Sequence, residues 1–385
     1  AVELFKGAKS SGDMLLRLSA LTSVPLIKGE TLVFFDEVQE CPEIVTAIKF
    51  LVDEGSYRYI LSGSLLGVEL KDLRSEPVGY MGVKDMYPLD FEEFLWAQGD
   101  TMTYPVLKEH FTTRKPMGGL HQTVMKAFRE YMLIGGMPQV VSAFVPKKDF
   151  AEADFVKQQI LSLYKNDMAE QNEERSEYVT DFFNRIPAEL SQHDKCYVLA
   201  HINDQARMRE YRGPIRWLDE AMIVNIASKV DEPSAALNLS ISDPRFKCYM
   251  ADTGLLVSLA FSDRPFLEND LYLSVLNDRL GVNEGMLIEN VVAQSLKASG
   301  HRLFFYTQRN PSTRKTLMDI DFLIRSGKKI VPIEVKSADS CNLKSLLRLK
   351  EIYGKRIGDA IVLHHGEIKD ENGIVFLPYY MAPLL

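Results

Sequence analysis

The chain has 385 residues, of which 46% are hydrophobic and 25% charged, with 45 Lys plus Arg against 53 Asp plus Glu for a formal net charge of −8. That length holds two or three domains of about 100–200 residues each, and the composition excludes a disordered, collagen-like or coiled-coil protein. The acidic balance argues against a protein that coats nucleic acid with its whole surface.

Thr31–Phe35 is a short, nearly continuous apolar run, the pattern of a buried parallel strand. Pro42 sits where a helix can begin, and Ile44, Ala47, Ile48 and Leu51 recur at helical spacing until Gly55 stops them. Tyr59–Leu61 is a second apolar run, so strand, helix and strand make a βαβ unit. A further strand is expected near Val78–Met86, and a helix over Phe91–Ala97. The middle, from about Met102 to Ala260, reads as mainly helical. Phe155, Ile160, Leu163 and Tyr164 mark one amphipathic face, and Ile215–Ala227 another. Leu237–Ile241 and Phe246–Met250, separated by Ser242–Arg245, read as a hairpin. The last third predicts a helix at Met286–Ala298, strands at Arg302–Thr307, Met318–Arg325 and Lys329–Lys336, a helix at Leu343–Ile352 and a strand at Ala360–Leu363.

Other bulk signals are brief. No apolar stretch of about 18 residues occurs, so no membrane span is expected. Cys41, Cys196, Cys248 and Cys341 lie far apart with no CxxC pair, which disfavours a zinc site or a disulfide scaffold. The N-terminus has no signal-peptide pattern, and a reducing cytoplasm is expected.

Two constellations carry chemistry. The first strand ends in Asp36 and Glu37, and ligands in open α/β sheets bind at carboxyl ends of strands. There Asp36 can hold Mg²⁺ and Glu37 can polarise an attacking water. The next strand ends in Ser62-Gly63-Ser64, whose hydroxyls would face a γ-phosphate or that water. The bland reading has the two acids starting the following helix. No G-x-x-x-x-G-K-[ST] loop occurs in the chain. It would be expected upstream of Asp36, and because the chain starts at Ala1 that segment is expected to have been left out.

The second constellation is Glu289, Asp321, Glu334 and Lys336. Glu334 and Lys336 alternate onto one face of a strand, and Gly327 marks a hairpin that lets Asp321 meet Glu334. Two carboxylates and a backbone carbonyl can bind Mg²⁺, and a lysine beside them can stabilise phosphorane charge. Glu289 on the preceding helix would add a third acid. The bland reading is a set of surface ion pairs. Residues 295–356 hold fourteen basic side chains and five acidic ones, a local +9 that leaves −17 for the remainder. Such a segment suits a phosphodiester partner. His364-His365 would be a poor chelate, Gly135-Gly136 would serve a turn, and Trp217 would pack a core. Arg74, Arg114, Arg129 and Arg185 are candidate phosphate sensors.

The chain resembles prokaryotic AAA+-type, archaeal-ATPase-like proteins that carry a C-terminal PD-(D/E)XK nuclease-like domain. The matching stretches are FFDEVQE (34–40), YILSGSLLG (59–67), PVGYMGVKDMYPLDFEEFL (77–95), IGGMPQVV (134–141), FKCYMADTGLL (246–256), GMLIENVVAQSL (285–296), DIDFLI (319–324) and PIEVKS (332–337). Two departures stand out: the Walker A segment is absent, and Gly79-Tyr80 replaces the glycine-arginine pair of many relatives. The resemblance implies an α/β fold in three parts. Residues 1–100 would be a truncated P-loop ATPase-type parallel sheet, 101–265 a helical and winged-helix-like middle, and 266–385 a restriction-endonuclease-like α/β domain. It implies ATP and Mg²⁺ as cofactors, with Asp36, Glu37, Ser62 and Ser64 at the nucleotide. Asp36, Glu289, Asp321 and Glu334 would ligate metal, and Glu37, Glu334 and Lys336 would be catalytic. DNA or RNA would be the partner of the C-terminal segment. The function expected is an ATPase coupled to a nuclease-like, nucleic-acid-engaging domain. The alternative is a regulatory or scaffolding switch whose nuclease-like domain is silent.

Overall fold

The computed structural model describes residues 10–63, 79–170, 173–192, 194–261, 272, 276, 284–310, 312–313, 315–337 and 343–385, with the side chains of 173–175 and 242–244 outside that set. The chain forms two compact units, Ala1–Met86 with Glu220–Met222, and Tyr87–Asp219 with Ile223–Leu385.

In the first unit, helix α1 (Ser11–Thr22) starts at Ser10, whose hydroxyl accepts the Asp13 N–H. Strand β1 (Leu32–Phe35), helix α2 (Pro42–Glu54) and strand β2 (Arg58–Leu61) follow as expected. Pro42 occupies the first turn of α2 and Gly55 ends it at φ +77. β1 and β2 pair in parallel with Phe35 opposite Leu61. Leu15, Phe35, Val38, Ile44, Val45, Ile48 and Leu51 form the core. No strand forms over 79–86, and Val78 lies outside the described residues.

The second unit opens with helices α3 (Phe91–Ala97), α4 (Thr103–Thr113), α5 (His121–Ile134), α6 (Pro138–Lys147), α7 (Phe150–Ala169), α8 (Glu173–Leu190) and α9 (Met208–Glu220). An Asp90/Glu93 capping box starts α3. The face of α7 differs from the one expected. Phe155 and Leu163 are exposed, and the buried stripe is Phe150, Ala153, Asp154, Lys157, Ile160, Leu161 and Met168. Two charged residues sit inside that stripe, which is why apolar periodicity misplaced it. Asp154 accepts the hydroxyls of Ser258 and Tyr272, and the Lys157 ammonium donates to Tyr272 and to the Leu133 carbonyl.

Burial pulls Lys157 down to about 8 despite the Asp154 charge. A lowered lysine binds fewer protons when folded than when unfolded, so stability should rise as pH climbs from about 8 toward 10.5. Urea midpoints of wild type and of the Asp154→Asn/Lys157→Met double variant should therefore diverge over that window, by up to about 1.4 kcal/mol per pH unit. Parallel pH profiles would refute the assignment.

The helix expected over Ile215–Ala227 ends at Glu220. Met222 adopts φ 57, and strand β3 (Val224–Val230) takes the rest. The hairpin expected within 237–250 does not form either. Strand β4 (Ile241–Met250) runs unbroken through Ser242–Arg245 and pairs antiparallel with β3. Helices α10 (Thr253–Ala260) and α11 (Glu284–Ala298) follow, then strands β5 (Phe304–Arg309), β6 (Thr316–Ser326) and β7 (Lys329–Val335), helix α12 (Lys344–Tyr353), and strands β8 (Ala360–His364), β9 (Lys369–Glu371) and β10 (Ile374–Pro378). All eight strands form one sheet in the order β4-β3-β5-β6-β7-β8-β10-β9. The strands expected as a wing thus belong to the C-terminal sheet, and that sheet crosses the boundary expected at 265/266. α12 packs on β6, α11 on β3, β4 and β7. Met318, Ile320, Ile330, Leu346, Leu349 and Val362 are fully buried in this core.

Candidate functional site: two acid clusters at strand ends

In the first unit the parallel register carries straight into chemistry. Phe35 pairs with Leu61, so the next residues, Asp36 and Ser62, are neighbours, and the Ser62 hydroxyl donates to the Asp36 carboxylate. Ser62 N–H donates to the Phe35 carbonyl (2.9 Å) and Val38 N–H to the Ser62 carbonyl (3.0 Å), so the backbone clamps the pair. Glu37 takes a left-handed φ of 50 and accepts from the Gln39 amide. Asp36 and Glu37 are both exposed at the carboxyl end of β1, where a ligand of a parallel sheet binds. Ser64 lies outside the described residues.

The second cluster is built on β4, β6, β7 and α11. Phe322 pairs with Ile333, which puts Asp321 across from Glu334. Asp321 Oδ2 accepts the Val335 N–H at 2.9 Å. Lys336 donates to Glu334 Oε2, as two residues on one strand face require. Glu334 is 2% exposed, and its Oε1 has no hydrogen-bond partner among the described residues. Burial, then the Asp321 charge, pushes its carboxyl up to about 8, against the pull of Lys336. Burial opposes the charge on Lys336, but Glu334 and Asp321 outweigh it and raise the ammonium.

Glu289 joins the same cluster through a cation that sequence reasoning missed. Lys247 Nζ lies 3.0 Å from Glu289 Oε1 and 3.6 Å from Asp321 Oδ1, and 5.2 Å above the Phe305 ring. Tyr249 donates to Glu289 Oε1 at 2.5 Å, and Lys195 donates to Oε2. Burial would raise the Glu289 carboxyl, but Lys247 and Lys195 hold it down at about 2. Burial also works against the Lys247 ammonium, and Glu289 more than offsets it. The available signal was a lysine between Phe246 and Cys248 inside a strand, with Tyr249 two residues on and so on its face. Among the described residues, no three His, Cys, Asp or Glu side chains are arranged to hold one metal ion.

The other candidates resolve as structural ties. Arg114 pairs with Asp359, Arg129 with Glu284 and Arg185 with Glu189; Arg74 lies outside the described residues. His364 contacts the Glu367 carbonyl, and the His365 carbonyl contacts buried His121. Trp217 is buried. Cys41, Cys196 and Cys248 are free thiols, and no described helix is long and apolar enough to cross a membrane. Of the basic segment, Arg302 donates to Asn238, Arg309 pairs with Asp194 and Arg356 with Glu232.

Residues 7–95 match a family described as an AAA domain. Residues 125–265 match a domain of unknown function (DUF8612), and residues 284–381 another (DUF4143). No curated protein matches the chain. Among solved structures, the Walker-type ATPase PABY2304 of Pyrococcus abyssi is similar at 16% identity and a TM-score of 0.39, over 66% of this chain and 69% of that one.

Proposed function

We propose that this protein is an AAA-type ATPase whose second unit carries a nuclease-like divalent-cation site that engages nucleic acid. The observation that carries the second half is Glu334 Oε1, a buried carboxylate oxygen with no described partner, beside Asp321 and Lys336. A desolvated carboxylate beside another acid is stabilised by a cation, and Mg²⁺ accepts one or two carboxylates plus water. Asp321 and Glu334 would hold that ion, and bound Mg²⁺ would polarise a phosphodiester. Lys336 would sit beside the developing charge. The expected result is one Mn²⁺ bound per chain by electron paramagnetic resonance, lost in Asp321→Asn and in Glu334→Gln. Cleavage of labelled DNA or RNA should vanish in Lys336→Ala. No Mn²⁺ bound either by wild type or by a variant that frees Glu289 from Lys195 would overturn the cation site.

For the nucleotide half, Asp36 and Ser62 would take the Mg²⁺ of ATP and Glu37 the attacking water. These residues supply the metal and water side only, because the sequence has no Walker A loop to cradle phosphates. With such a loop joined upstream of Asp36, Glu37→Gln is expected to lower ATP turnover by about a hundredfold or more, the share of one general base. Equal turnover in both would remove Glu37 from that role.

One observation favours the silent-switch alternative. The third acid, Glu289, is held by two lysines and a tyrosine. Under that reading the cluster is a folded-in charge network, and neither Mn²⁺ binding nor cleavage appears.

A further inference from the structure

The segment between α8 and α9 carries two opposite charges in sequence, and each lands on a residue of its opposite sign. Lys195 donates to Glu289 Oε2, and Asp194 accepts from Arg309. The Lys195 contact is largely buried, whereas the Asp194–Arg309 pair is partly exposed. Glu289 is 3% exposed, and Oε1 is already taken by Lys247 and Tyr249, so Lys195 closes the oxygen that remains. Arg309 lines a cleft of about 400 Å³ whose other charged residues are Lys229, Arg245 and Asp231. Lys229 donates to Asp231 at 2.7 Å, so three cations face one acid there.

The cleft and the acid cluster adjoin. Thr307, in the cleft wall, pairs with Asp319, two residues before Asp321. Cys196, next to Lys195, lies within electrostatic reach of Lys247, Asp319, Arg245 and Lys229 together. One short segment therefore touches both places at once.

Just beyond it the chain is anchored. Tyr197 donates through its hydroxyl to the Phe182 carbonyl at 2.7 Å and stacks on the Phe182 ring. Its N–H donates to the Phe246 carbonyl at 2.9 Å. Asp194 and Lys195 thus project from a fixed point, held by their charges and by the Lys195 bond to the Gly285 carbonyl at 3.1 Å.

We propose that Asp194-Lys195 is a latch that mimics the ligand of this site: the Lys195 ammonium stands where a divalent cation would touch Glu289, and the Asp194 carboxylate stands where a phosphate of a nucleic-acid backbone would meet Arg309. The cleft of Lys229, Arg245 and Arg309 is then the phosphate seat. A phosphodiester carrying its metal ion presents the same pair of charges and displaces the latch as a unit, because both contacts belong to adjacent residues. The inference rests on the cation-site reading above and adds to it a ligand class and a built-in competitor.

The full chain serves for the test, with Mn²⁺ alone as one probe and a labelled oligonucleotide, as DNA and as RNA, as the other. Lys195→Met should bind Mn²⁺ about tenfold tighter, the effect of removing one competing charge-assisted contact, and Glu289→Gln should cancel the gain. Asp194→Asn should bind the oligonucleotide about tenfold tighter at fixed salt, and Arg309→Ala in that background should cancel it. Lys195→Gln and Asp194→Ser provide second variants, and circular dichroism reports their folding. Mn²⁺ bound through Asp321 and Glu334 equally in wild type and in the Lys195 variants overturns the latch and leaves the cation site standing. No Mn²⁺ bound by wild type or any variant overturns both. Mn²⁺ bound by the Lys195 variants and not by wild type supports both.

Discussion

Lys247→Met is expected to destabilise the second unit by about 3–5 kcal/mol, read as a lower urea midpoint with an unchanged slope. The ammonium is 3% exposed in its residue and serves two carboxylates, Glu289 and Asp321. Removing it leaves Glu289 buried with only Lys195 to offset its charge. Removing one partner of such a pair costs far more than replacing both, because a charge in a low-dielectric interior has lost its compensation. The Lys247→Met/Glu289→Gln pair should accordingly recover most of the loss, with strong non-additivity in the double-mutant cycle. Millimolar Mn²⁺ should restore part of the Lys247→Met stability and none in Lys247→Met/Asp321→Asn, since an ion can enter where the ammonium stood. A Lys247→Met midpoint within about 0.5 kcal/mol of wild type would show that the cluster is wetter and weaker than its burial implies.

What was legible in the sequence follows from the range of the physics involved. The βαβ unit around Asp36 was readable because Pro42, Gly55 and a helical apolar period each act locally. The Asp36–Ser62 contact followed from parallel pairing alone. Asp321, Glu334 and Lys336 were readable for a similar reason: one tight turn at Gly327 sets the register of β6 and β7. The errors came where tertiary partners decide. Ile215–Ala227 has an apolar period compatible with a helix, yet β5 recruits Val224–Val230 as a strand by parallel pairing of Ser228 with Phe304. Ser242–Arg245 carries turn residues, yet β3 pairs with Ile241 on one side of them and with Phe246–Met250 on the other, so they are absorbed as a register shift within one strand. Lys247, Lys195 and Tyr249 escaped notice because they meet Glu289 across 40 to 94 residues of chain. No spacing rule reaches that far. Strand β9 escaped for want of length, with only three residues, all exposed.

Gly254→Ala and Gly136→Ala are each expected to cost at least about 4 kcal/mol, to the point that the second unit does not fold. The stretches around them, IGGMPQ and ADTGLL, lie far apart in the chain and meet in close backbone contact. A Cβ on Gly254 would sit 2.1 Å from the Ile134 carbonyl oxygen, and one on Gly136 would sit 2.0 Å from that of Leu89. Neither obstacle is the end of a flexible side chain. The Ile134 carbonyl terminates α5, and Leu89 N–H donates to the Gly136 carbonyl at 2.7 Å, so the clashing backbone is itself hydrogen-bonded. Asp252 completes the lock: its Oδ2 accepts the Gly136 N–H at 2.6 Å, and its Oδ1 caps α10 through the Leu255 N–H at 2.9 Å. Gly135, at φ +84, would put a Cβ 2.1 Å from that same carboxylate. Gly213 supplies the contrast, since it lies within α9 with open space around its Cβ position. Gly213→Ala should raise stability by about 0.5–1 kcal/mol, the ordinary helix preference of alanine over glycine. The same substitution thus changes sign with what the added methyl meets. Soluble, fully folded Gly254→Ala protein with a wild-type urea midpoint would mean that α5 and α10 do not approach each other through these glycines.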